Sequence, residues 1–257
     1  VNVFRQSITP DNSAERAGLR LYARSHPDMK DRIKALEGRI STETSKGAIH
    51  QPTLDRYNLF KAKLIGQTYG LEAVEGKYHG QETSLEALYG KANALYADGR
   101  FKDALPLIES LVERPNATAY FHELHGNILL RLGQAKQAID PLIKANQLAP
   151  NTPLLMIQES AARLSAADNA DTARQALARL EAATVLDQNI VAGWHLLGLA
   201  HHRLGNEGGM RLALAHKHLL LGDTAAARHY ARLAHTSLAF GTPDWLAAEH
   251  LLSVVGP

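Results

Sequence analysis

Thirteen histidines and no cysteine define the chemistry open to this chain of 257 residues. Zinc takes thiolate, imidazole and carboxylate ligands, so without thiols a metal site must come from His, Asp and Glu alone. His122-Glu123-Leu124-His125 offers two imidazoles at i, i+3. The zinc-protease helix HExxH needs them at i, i+4, with its glutamate as the base. This pair therefore reads as helix-packing residues. Eight of the thirteen histidines fall within residues 195–250. Of these, His195 and His202 lie a heptad apart on one helical face. No carboxylate stands at helical spacing to join them, so they read as groove or core residues, and no metal ligand is assigned. A Ser–His–Asp order, a glycine-rich phosphate loop and paired carboxylates in a cleft are also missing from the pattern. The expectation is that this chain binds and does not catalyse.

Those side chains need helices to carry them, and the chain writes its helices periodically. Gly99 and Gly133 are 34 residues apart, as are Ala104 and Ala138. Each glycine closes one helical pattern and each alanine sits five residues on, inside the next (ALYADGRFKDALPLI, ILLRLGQAKQAIDPLI). A helix–turn–helix unit of this length resembles the tetratricopeptide repeat, TPR. Pro150 stops the second pair, since proline cannot continue a helix. The third repeat holds the pattern with four extra residues in its turn (SAADNADTA), so Ala138 to Ala176 is a step of 38. Trp194-x-x-Leu197-Gly198 opens the fourth repeat, with His201 where the repeat pattern has tyrosine. Gly222 and Ala227 recur only 17 residues after Gly205. The helix between is thus expected to serve repeats four and five together. A last helix, capped by Thr242-Pro243-Asp244, closes the array.

The fold expected is all-α: a TPR-type right-handed α-solenoid over 85–257, preceded by a short helical segment. Residues 1–41 read as two helices outside the repeat, the second with Met29, Ile33, Leu36 and Ile40 on one stripe. Residues 42–84 read as hinge and linking helix: a polar hinge running from Ser41 to Pro52 (STETSKGAIHQP), a helix through Leu54, Tyr57, Leu59, Phe60 and Leu64, and a loop from Gly70 to Thr83. The formal charge of +2 and the scattered basic residues give no electrostatic case for nucleic acid. No apolar run approaches the ~20 residues of a membrane span. The opening VNVFRQ has no initiator Met, as in a fragment or a processed chain.

The repeat register assigns an inner, concave face. Repeat one presents Tyr89, Asn93 and Tyr96, and repeat two presents Glu123, Asn127 and Leu130. Repeat four presents His195, Leu199, His202 and Arg203. Two asparagines 34 apart suit pairing with a bound peptide backbone, and they equally suit simple solvation. Tyr89 and Glu123 stand where a clamp for C-terminal carboxylates needs lysines, which disfavours that ligand class. Binding at the histidine-rich end is expected to change as pH falls through ~6.5.

Two further stretches carry a second resemblance. Ser25-His26-Pro27-x-x-x-Asp31-Arg32-Ile33 is similar to the end of the catalytic domain in the HtpX-related zinc metalloprotease family. Tyr57-Asn58-Leu59-Phe60-Lys61-Ala62-Lys63-Leu64, followed by repeats, resembles the C-terminal half of its BepA-like (YfgC-like) periplasmic members. This resemblance implies that residues 1–41 are the tail of a zinc protease domain, with His26 and Arg32 near its active site. It also implies Zn²⁺ in the parent protein, a periplasmic or cell-envelope location, and a polypeptide substrate or envelope assembly partner in the groove. The HExxH helix and the glutamate ligand are not in this sequence, so proteolysis is not expected from it. The alternative is a free-standing TPR scaffold or adaptor with no protease activity.

Overall fold

The structure is a computed structural model and describes residues 51–166 and 169–256. Eleven helices follow one another among the described residues: α1 Gln51–Lys77, α2 Leu85–Ala97, α3 Phe101–Val112, α4 Ala119–Arg131, α5 Ala135–Leu148, α6 Pro153–Ala166, α7 Ala170–Leu186, α8 Val191–Arg203, α9 Glu207–Leu220, α10 Thr224–Ser237 and α11 Pro243–Val254. Contacts divide the chain into Val1–Arg56 and Tyr57–Pro257, and the array lies in the second unit. His26 and Arg32 lie outside the described residues.

The periodic glycines fold as their chemistry requires. Gly99, Gly133, Gly205 and Gly222 all take φ between 72° and 76°, the left-handed region that side chains disfavour. Each then lets the next N–H reach back to a carbonyl five residues earlier: Arg100 to Leu95, Gln134 to Leu129, Asn206 to His201 and Asp223 to His218. This closure satisfies carbonyls that a helix end otherwise leaves unpaired. Five residues beyond Gly99, Gly133 and Gly222, Ala104, Ala138 and Ala227 are fully or almost fully buried. A methyl there lets two helices close on each other, and Ile108, Leu111, Phe121 and Ile128 fill the core alongside.

Every helix from α2 onward packs on the next, and α2–α4, α4–α6 and α6–α8 also touch. α2, α4, α6 and α8 therefore form one layer of the solenoid and α3, α5 and α7 the other. The alternation changes at α9, which touches α8, α10 and α11. One helix so completes the fourth pair and opens the fifth.

Two local features differ from the sequence reading. The segment after Gly70 continues as helix to Lys77, where a loop was expected, with a break at Gly70 (φ 80°, ψ −173°). Val74 is fully buried, and its methyls lie against the open face of Gly90, which holds that turn in place. The extra residues of repeat three go mostly into a helix and not a turn. α7 starts six residues before Ala176, whereas α5 starts three before Ala138. Asn169 caps the added turn, its Oδ1 accepting from the Thr172 N–H at 3.0 Å.

Candidate polypeptide-binding face

The inner face of the first two repeats is already covered by α1. Gly66 makes the close approach: a Cβ there would stand 2.3 Å from the Gly90 carbonyl oxygen of α2. One residue on, Gln67 Nε2 donates to Asn93 Oδ1 at 3.1 Å. One turn earlier, Lys63 Nζ lies 3.5 Å from Glu123 Oε2 on α4. Glu123 also accepts from Gln158 Nε2 of α6 at 3.3 Å. Leu59 is buried in the same apolar cluster as Tyr89 and Phe121. The first part of α1 therefore runs along the inner layer, meeting α2 near Gln67 and α4 near Lys63. It seats Leu59, Ala62 and Gly66 inward, with the Lys63 and Gln67 polar groups beside them. Tyr57, Phe60 and Leu64 are exposed.

This seating changes what the register alone assigned to the groove. Tyr89 is buried, with its ring 5.1 Å from that of Phe121, so it is a core residue and not a contact offered to a ligand. Its hydroxyl lacks a hydrogen-bond partner, and burial, helped by the Glu123 charge, pushes its pKa up. Asn93 is also fully buried. Its Nδ2 donates to the Tyr89 carbonyl at 2.8 Å while its Oδ1 is taken by Gln67. Its amide is thus spent on α1 and on its own helix. Tyr96 is half-buried against Phe101, edge to face at 5.4 Å. Asn127 is half-buried on α4. His195 and His202 are exposed on α8, and His202 Nδ1 comes within 3.9 Å of Glu207. The remaining inner-face candidates thus separate into Asn127 near the α1 end and His195 with His202 farther along. Arg203, beside His202, donates to the Leu164 carbonyl and so caps the C-terminal turn of α6.

Four further histidines, His122, His125, His201 and His216, are buried or half-buried. His201 is buried, with Asn206 Nδ2 3.2 Å from its Nδ1 and its ring where a Gly209 Cβ would fall. His216 stacks on Trp194 at 4.0 Å, and burial, with His250 nearby, holds its pKa down at about 4. Burial likewise lowers the pKa of His122, His125 and His201. Among the described residues no three His, Asp or Glu side chains converge as metal ligands, and no helix is long and apolar enough to cross a membrane.

Sequence reasoning missed one polar cluster. Glu159 of α6 is buried, and its carboxylate accepts from Arg163 at 2.9 Å, Arg179 at 3.1 Å and Asn146 at 2.9 Å. Asn146 also donates to the Leu155 carbonyl, so the cluster ties α5, α6 and α7 together. The spacing Glu159 to Arg163 was visible as an i, i+4 pair. Its burial was not.

No family model matches the chain, and no curated protein does. Solved structures do. One is YrrB, "a TPR protein with an unusual peptide-binding site", at 18% identity and TM-score 0.53, covering 68% of this chain and 90% of that one. Another is MamA MSR-1 C2, at 15% identity and TM-score 0.50, covering 73% and 99%. With the glycine-closed helix pairs, these likenesses establish the fold as a right-handed tetratricopeptide-repeat α-solenoid.

Proposed function

We propose that this chain is a protein-interaction scaffold whose inner helical layer binds polypeptide. One observation carries the reading: that layer already holds a polypeptide helix, α1, through Gln67–Asn93 and Lys63–Glu123. A surface of this kind recognises an amphipathic helix by anchors at helical spacing. YrrB, which shares the fold, has a peptide-binding site. The test is photo-crosslinking in cells from a benzophenone amino acid placed at Asn127 or His195, compared with Lys102 or Glu109 of α3. Protein adducts from the first pair and not the second are expected. Equal adducts from all four positions contradict the reading.

A second reading rests on the resemblance of Ser25–Ile33 to HtpX-related zinc proteases and of Tyr57–Leu64, with the repeats, to their BepA-like members. The array would then be the C-terminal interaction region of an envelope metalloendopeptidase, with zinc held upstream and His26 and Arg32 close to it. Its partner would be a polypeptide substrate or an envelope assembly protein. An HExxH motif upstream in the native reading frame is the observation expected of it, and a reading frame beginning at Val1 contradicts it.

A further inference from the structure

We infer that α1 is a built-in competitor: it fills, in cis, a helix-binding site on α2 and α4 that a partner helix of the same pattern takes in trans. This rests on the scaffold reading and adds how the surface is controlled and what it accepts.

The contacts define the pattern. A glycine is needed where Gly66 meets Gly90, because a Cβ there would stand 2.3 Å from the Gly90 carbonyl oxygen. A basic residue three positions earlier answers Glu123, and an amide one position later answers Asn93. An apolar residue at the Leu59 position enters the cluster around Tyr89 and Phe121. Charge complementarity therefore favours a basic partner helix. An acidic one would set its carboxylate against Glu123, whose side chain is only 18% exposed.

Gly70 supplies the means of release. Its φ of 80° interrupts α1 just beyond the seated segment, and no atom crowds the open side of its backbone. Beyond it, Val74 and the Glu75–Lys91 pair at 3.2 Å keep residues 71–77 fastened to α2. The seated part can thus leave while the rest stays. A short tether also makes the cis helix a strong competitor, since its effective concentration is in the ~mM range. If it fills the site about 99% of the time, apparent affinity for a helix in trans falls about 100-fold.

The test uses the full chain and a fluorescein-labelled peptide of residues Tyr57–Tyr69, read by anisotropy. Two variants unseat α1 without altering the site: Gly66→Val, by steric clash, and Lys63→Glu, by placing a carboxylate opposite Glu123. Both are expected to bind the peptide at least about tenfold more tightly than the unaltered chain. Adding Glu123→Lys to Lys63→Glu is expected to reseat α1 and abolish the gain. Equal binding within twofold by unaltered chain and variants overturns the inference, as does no binding by variants that keep their helical circular dichroism. Collapse of the whole array in both variants also overturns it, because α1 is then integral to the fold. A dimer of either variant in light scattering would assign the site to a second copy's α1 and overturn the partner reading. The crosslinks from His195 report on the scaffold reading separately, far from α1.

Discussion

Glu159 shows how a single side chain can fix the seam between repeats. Removing a buried charge leaves its partners unpaired, which is costly even though Arg179 is 40% exposed and partly solvated. Glu159→Ala is expected to cost about 2–3 kcal/mol in urea unfolding, and Glu159→Gln, which keeps an acceptor for Asn146, less. A loss under about 0.5 kcal/mol for the alanine variant would show the cluster to be incidental. His216 sets a pH dependence. With its pKa at about 4 in the folded chain and near 6.5 when unfolded, it is neutral in both states above that value. As pH falls from about 6.5 to 4, the unfolded chain gains a proton that the folded one refuses, so stability drops by up to about 3 kcal/mol. His122, His125 and His201 act in the same direction. Chemical denaturation across that range should show a shallower fall in His216→Phe, and an unchanged slope would mean that this ring carries none of the effect.

At the scale of elements, the glycine-to-alanine step is the device that the sequence displays most openly. Backbone at positive φ and a methyl between helices leave almost no other residue choice, so their spacing survives in the text of the chain. Ala104→Leu and Ala138→Leu are each expected to lower unfolding free energy by about 1–3 kcal/mol through overpacking; unchanged urea midpoints for both would contradict the packing described. α1 was harder to read. Three of its apolar residues, Tyr57, Phe60 and Leu64, are exposed, while its seat is made by Leu59, Ala62, Gly66 and two polar side chains. Small residues that permit backbone approach carry no hydrophobic signal, so periodicity assigned a linking helix and could not say what it covered. Register placed Tyr89 and Asn93 on the inner layer for the same reason. It gives the direction of a side chain from its own helix and says nothing of a helix laid over it. His201 differs again: the repeat pattern marked its position, and burial beside Gly209 explains it.

For the array from Tyr57 onward, the arrangement is a solenoid whose inner layer is occupied at one end and presents exposed His195 and His202 toward the other. On the scaffold reading, interaction depends on how much of that layer is free, and α1 covers it at repeats one and two. Stacked repeats gain stability mainly from their neighbours, so unseating α1 should loosen the first pair and leave distant ones alone. Amide hydrogen exchange on the full chain tests this seating most directly. Residues 57–69 are expected to be protected in the unaltered chain. Lys63→Glu is expected to remove that protection and leave α7 to α10 unchanged. Fast exchange of residues 57–69 in the unaltered chain, or protection indifferent to Lys63→Glu, would contradict the placement of α1 on the inner layer.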